Sequence, residues 1–130
     1  MLEAIKEDVR RYALQADRAG LCRHRSGNFS VCDATTGLIC ITPTGMDREE
    51  MTADDIVVID MEGHTVESLN GRRPTSELMM HTAIYRSRSD VRAVAHDVLR
   101  HRIGLSYEAE AADLTTEKII SEVINKVQVP

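Results

Sequence analysis

The stretch RRPTSELMMHTAIYRSRSDVRAVAHDV holds a carboxylate and an imidazole four residues apart, Glu77 and His81. On a helix that spacing sets both on one face, where they could address a metal ion or move a proton. The same spacing also describes a carboxylate in a first helical turn, where the dipole favours it, beside a partly buried histidine. A second imidazole, His96, ends the apolar run VRAVAH. Strand alternation groups Arg92, Val94, His96 and Val98 on one face and Val91, Ala93, Ala95 and Asp97 on the other. A histidine there is either a satisfied residue at the core edge or a ligand.

Three short polar segments suit an oxyanion. RSGN (25–28) and TPTG (42–45) supply hydroxyls, an amide and backbone N–H groups exposed by glycine, and TSE (75–77) places Thr75 and Ser76 at a helix start. Singly, each reads as a turn. Together, in one small domain, they suggest an anion site.

The elements that must position these groups follow from periodicity. Leu2, Ile5, Val9, Tyr12, Ala13 and Ala16 recur at helical spacing, so residues 2–19 form an amphipathic helix that Gly20 ends. Residues 28–32 and 38–42 are β-rich and joined by the hairpin loop DATTG. A capped turn (MTADD), a third strand over 56–60, a turn at Glu62–Gly63 and a short strand come next. Pro74 precedes a helix capped by Thr75 or Ser76 and running to about residue 86. VRAVAHDV is the fifth strand, and Ile119, Ile120, Val123, Ile124 and Val127 mark a final amphipathic helix. Helix, strand meander, helix, strand, helix is the order of a layered α/β domain around a mostly antiparallel sheet.

Composition bounds the function. With 130 residues the chain suits one core. With no Trp and one Phe, that core must be aliphatic. A net charge of −5 gives no support to a nucleic-acid surface. The N-terminus is too charged for a signal peptide and no apolar run has the length of a membrane span, so a cytoplasmic protein is expected. Cys22, Cys32 and Cys40 fit no zinc or C-x-x-C spacing and read as small buried apolar residues.

The ordered set SGN-S, ITPTG, DIVV-D and P-T-S-E---H-AIY--R-D--AV-H, spanning about residues 18–96, resembles the class II aldolase/adducin family, in kind L-fuculose-1-phosphate aldolase and L-ribulose-5-phosphate 4-epimerase. The resemblance implies an α/β/α layered domain with a largely antiparallel central sheet, assembled as a homo-oligomer, usually a tetramer. It implies a divalent metal, typically Zn2+, that binds the hydroxy-ketone unit of a phosphorylated sugar and stabilises an enediolate. By position, Glu77 is then the catalytic acid/base and approaches the metal, and His96 is the first histidine ligand. Asn28, Thr44, Gly45, Thr75 and Ser76 hold substrate and phosphate. Ser26 and Gly27 match less closely, and His81 matches a recurrent histidine that is not a ligand.

The resemblance breaks after His96. The family's H-x-H is here HDV, with Val98 in the second ligand position and no counterpart to a later third histidine. Two readings follow: a metal-dependent aldolase acting on a short ketose phosphate, or a non-catalytic, shortened member serving as a binding or assembly module. The expected organisation is a shortened family domain over 1–112 and a C-terminal helix over 113–130. That helix, after the polar linker SYEAEAAD, reads either as a docking helix or as a peptide of the kind that targets enzymes to bacterial microcompartments.

Overall fold

Period-two alternation in three short strands builds the two faces of the sheet. The structure, a computed structural model, describes residues 1–22 and 27–96, the last of these by its backbone. In β1 (Asn28–Cys32), β2 (Ile39–Ile41) and β3 (Val57–Ile59), Phe29, Val31, Cys40 and Val58 pack on one side, and Cys32, Ile39, Ile41, Val57 and Ile59 on the other. Both faces are covered, so β2 and β3 are buried at every residue. Each fully buried Ile or Val contributes about 1.5–3 kcal/mol.

The strands, with β4 (Thr65–Glu67) and β5 (Ala93–His96), form one sheet ordered β4-β3-β2-β1-β5, and every pairing is antiparallel. Short connections make this meander natural. Asp33 caps the β1–β2 loop through the Thr36 N–H (2.9 Å), and Gly37 closes it at φ +73°. The sheet ends, among the described residues, with β5 antiparallel to β1 and His96 opposite Asn28.

Helix α1 (Glu3–Arg18) lays Val9 and Ala13 against Cys40, Met51, Ile56 and Val58. Tyr12, expected on its apolar stripe, is exposed and lies under the Arg11 guanidinium. Lys6 is buried on the packed face and paired with Glu67 of β4. Helix α2 (Leu78–Ser87) covers the opposite face through Leu78 and Tyr85. The result is α/β/α layering with a central antiparallel sheet, as expected. The three cysteines are buried and form no disulfide. Among the described residues no helix is long and apolar enough to cross a membrane. The expected helix over 113–130 and its boundary with 1–112 lie outside the described residues.

Candidate functional site

The face of β1 under α2 carries two polar residues where β2 and β3 carry isoleucine and valine. Asn28 and Ser30 are both buried there, and α2 brings His81 and Tyr85 onto them. His81, expected to be partly buried, has no exposure at all. Its Nε2 meets Asn28 Oδ1, and its Nδ1 lies 2.7 Å from Ser30 Oγ. A carboxamide oxygen only accepts, so Nε2 carries the proton. Nδ1 is then the acceptor for the Ser30 hydroxyl. Tyr85 donates to the Ser30 carbonyl (3.0 Å), with its hydroxyl 2.8 Å from Ser30 Oγ. Burial pushes the Tyr85 phenol up, against the opposing effect of its bond to Ser30. The chain Tyr85, Ser30, His81, Asn28 thus fixes one end of the Asn28 amide and turns its donor end away from α2.

Two of the polar loops are brought to Asn28 by backbone bonds. Thr42 at the end of β2 pairs with Phe29 through its N–H (3.0 Å) and accepts the Phe29 N–H on Oγ1 (3.1 Å). Its carbonyl accepts the Thr75 N–H (3.0 Å), and the Thr44 N–H donates to the Arg73 carbonyl (3.0 Å), either side of a Pro43–Pro74 bridge. Thr44 and Gly45 are exposed, Thr75 is buried, Ser76 is exposed and Glu77 is half-buried. The loops that carry Asn28, Thr44–Gly45 and Thr75–Glu77 are therefore neighbours. Residues 23–26, with Ser26 and most of the RSGN segment, lie outside the described residues.

Neither Thr75 nor Ser76 caps the helix. The bridge and the Thr42–Thr75 bond keep the backbone tied to β2 through Thr75, so α2 begins only at Leu78, with Glu77 at the capping position and no side-chain cap bond. The Thr75 hydroxyl instead accepts the Glu77 N–H (3.3 Å). The Glu77 carbonyl still takes the His81 N–H (3.3 Å), which couples the carboxylate residue to the buried histidine through the backbone.

A buried carboxylate anchors the incoming loop. Burial raises the Asp55 carboxyl, but bonds from the Thr52 N–H, Asn70, Arg72 and the Thr52 hydroxyl outweigh it and hold the group well below the usual carboxylate range. Those contacts run at 2.9–3.0 Å. Asp55 thereby ties residues 70–72, just ahead of Thr75, to the turn that starts β3.

Metal ligation is less complete. Among the described residues no three His, Cys, Asp or Glu side chains gather as a metal site. Catalytic zinc usually has three protein ligands. Of the expected donors, Glu77 is half-buried at the start of α2 and His96 is placed by its backbone opposite Asn28; Val98 has no donor atom. The described donor set does not fit a catalytic zinc by itself.

Sequence reasoning missed Ser30 and Tyr85. Ser30 is two residues from Asn28 on one strand face, and Tyr85 is four from His81 on one helix face. That double spacing was a usable signal.

A family model described as Class II Aldolase and Adducin N-terminal domain matches residues 7–127. A 5-deoxy-D-ribulose 1-phosphate aldolase of Bacillus thuringiensis serovar kurstaki is 32% identical over 96 residues, 74% of this chain and 44% of that protein. An L-ribulose-5-phosphate 4-epimerase UlaF of Salmonella paratyphi C is 35% identical over 100 residues, 77% of this chain and 43% of the relative. Among solved structures, an L-fuculose 1-phosphate aldolase superposes with TM-score 0.67 at 36% identity, covering 72% of this chain and 43% of that one. The chain spans less than half the length of these relatives.

Proposed function

The chain belongs to the class II aldolase and adducin family, and from that premise we propose that it acts on a short phosphorylated sugar as an aldolase-type lyase, cleaving a carbon–carbon bond next to a carbonyl. The observation that carries this reading is the convergence of the loops of Asn28, Thr44–Gly45 and Thr75–Ser76 beside Glu77, through the Pro43–Pro74 bridge. The relatives named as sugar-phosphate aldolase and epimerase support it over the non-catalytic reading.

In this reading the loops bind the phosphate and the hydroxyls of the sugar. Asn28 offers the donor end of an amide whose acceptor end is already held by His81. Glu77, half-buried beside them, takes the proton from the hydroxyl whose C–O becomes the carbonyl of the leaving aldehyde, and returns it to the carbanion carbon. The family's enzymes generally use a divalent metal to stabilise the enediolate. The donors described here do not form such a site alone. His96 and Glu77 are the residues this chain would contribute to it. In the same reading the chain works as a homo-oligomer.

The test is retro-aldol cleavage of short ketose 1-phosphates with a divalent metal supplied, read as aldehyde release. Glu77→Gln should lower turnover by about 10²-fold or more with folding unchanged, since the side chain is half-buried. Undiminished turnover in that variant removes Glu77 from the chemistry. Phosphate binding without any turnover leaves the binding-module reading in its place.

A further inference from the structure

Three charged side chains are buried among the described residues, and two have a counter-ion. Lys6 is paired with Glu67 and Asp55 with Arg72. Arg48, 3 % exposed, has none among the described residues. Its Nη2 donates to the Gly27 carbonyl, its Nη1 to the Met46 carbonyl (3.3 Å), and its Nε has no hydrogen-bond partner. The nearby acids are otherwise engaged: Glu49 pairs with Arg18, and Asp47 caps the Glu49 N–H. Cys22, Asp17 and Asp47, in that order, favour the charged guanidinium through space.

An uncompensated buried cation is costly. Hydrogen bonds to carbonyls solvate it but leave the charge. A guanidinium does not escape by deprotonation, although burial pulls its pKa below the usual value. Among the described residues no carboxylate forms an ion pair with it, so an anion held close by is favoured by this charge. Arg48 holds the carbonyl of the peptide that leads into Asn28, so its positive field falls on the end of β1 where the polar loops meet.

We propose that Arg48 is the fixed cation of the anion site, its buried charge drawing the phosphate of the ligand to the Gly27–Asn28 end of β1. The inference rests on the reading of these loops as a phosphate site. It adds a residue that acts on the ligand through its field and not by contact, with a role in affinity and not in proton transfer.

The experiment is a titration of inorganic phosphate into the full chain, followed by backbone amide resonances, for wild type, Arg48→Lys, Arg48→Gln and Asn28→Ala. Lysine retains the charge; glutamine retains a donor for the Gly27 carbonyl without it. Arg48→Gln should bind phosphate about tenfold more weakly, or about 1.4 kcal/mol, and Arg48→Lys within roughly threefold of wild type. Equal affinity in Arg48→Gln and wild type, with loss in Asn28→Ala, overturns the role of Arg48 and leaves the phosphate site standing. An Arg48→Lys loss as large as that of Arg48→Gln shows that the guanidinium shape matters and not its charge, and overturns it too. No binding by wild type removes the phosphate reading together with the inference. Should Arg48→Gln not fold, the Arg48 Nε–H resonance of the wild type decides: it should shift with phosphate, and an unmoved resonance overturns the proposal.

Discussion

His81 donates its Nε2 proton to the carboxamide oxygen of Asn28, from a ring with no exposure to solvent. One histidine on α2 therefore sets which end of a β1 amide can face a ligand. Replacing it by alanine takes the His81 bond from the buried Asn28 oxygen, at about 1–3 kcal/mol, leaves Ser30 with Tyr85 alone, and opens a cavity besides. His81→Ala should lose roughly 3–4 kcal/mol of stability by urea unfolding. Tyr85→Phe should lose only about 1 kcal/mol, because Ser30 keeps His81. The two should be non-additive in a double-mutant cycle, since both act on Ser30. Additive losses would mean the four groups do not act as one chain.

Asp55 predicts an acid-sensitive fold. Its carboxyl is depressed in the folded state despite burial, because Thr52, Asn70 and Arg72 bond the ionised form. A depressed carboxyl contributes stability above its unfolded pKa and loses it as pH falls towards the folded value, so the loss begins below about pH 5. Urea midpoints between pH 7 and pH 3 should drop for wild type and drop less for Asp55→Asn. At pH 7 that variant should already be weaker by about 2 kcal/mol. Parallel wild-type and mutant acid limbs would assign the pH dependence to other carboxylates.

Local signals explain what the sequence shows directly. β-rich runs at 28–32, 38–42 and 56–60 mark the strands, the last two almost wholly apolar because both faces of β2 and β3 are packed, and Gly37 marks the hairpin because it adopts φ +73°. The site is less legible because its bonds are long-range. Thr42 to Thr75 and Thr44 to Arg73 join loops about thirty residues apart, and no spacing rule reports them. Arg48 is the hardest case: an arginine in MDREE reads as a solvated charge, and only the packing around Gly27 shows it buried. The cap of α2 moved from the expected Thr75 or Ser76 to Glu77 because a tertiary bridge overrode the capping preference.

Gly27 and Gly45 separate backbone strain from steric strain. Both are left-handed, at φ +82° and +66°. A Cβ on Gly45 meets no atom within 4 Å, whereas on Gly27 it would stand 2.7 Å from Cys22 Sγ. Gly45→Ala should cost about 1 kcal/mol, the left-handed penalty alone, and Gly27→Ala roughly 2–3 kcal/mol. Cys22→Ala in the Gly27→Ala background should recover the difference. Equal costs for the two glycines would remove the Cys22 contact as a constraint.

The thiols report on cooperativity. Burial pushes Cys40 up to about 12 and raises Cys32 as well, so neither forms the reactive thiolate near neutral pH. Cys22 is buried beside Gly27. A chromogenic disulfide reagent should therefore find no thiol at once in the folded protein and all three after denaturation. In sub-denaturing urea, Cys40 should label at the rate of global opening, since it lies on a central strand under α1. Cys22, next to the Arg48-held end of β1, should label at or before that rate. A Cys40 that reacts in the absence of denaturant would contradict the packing of α1 on the sheet.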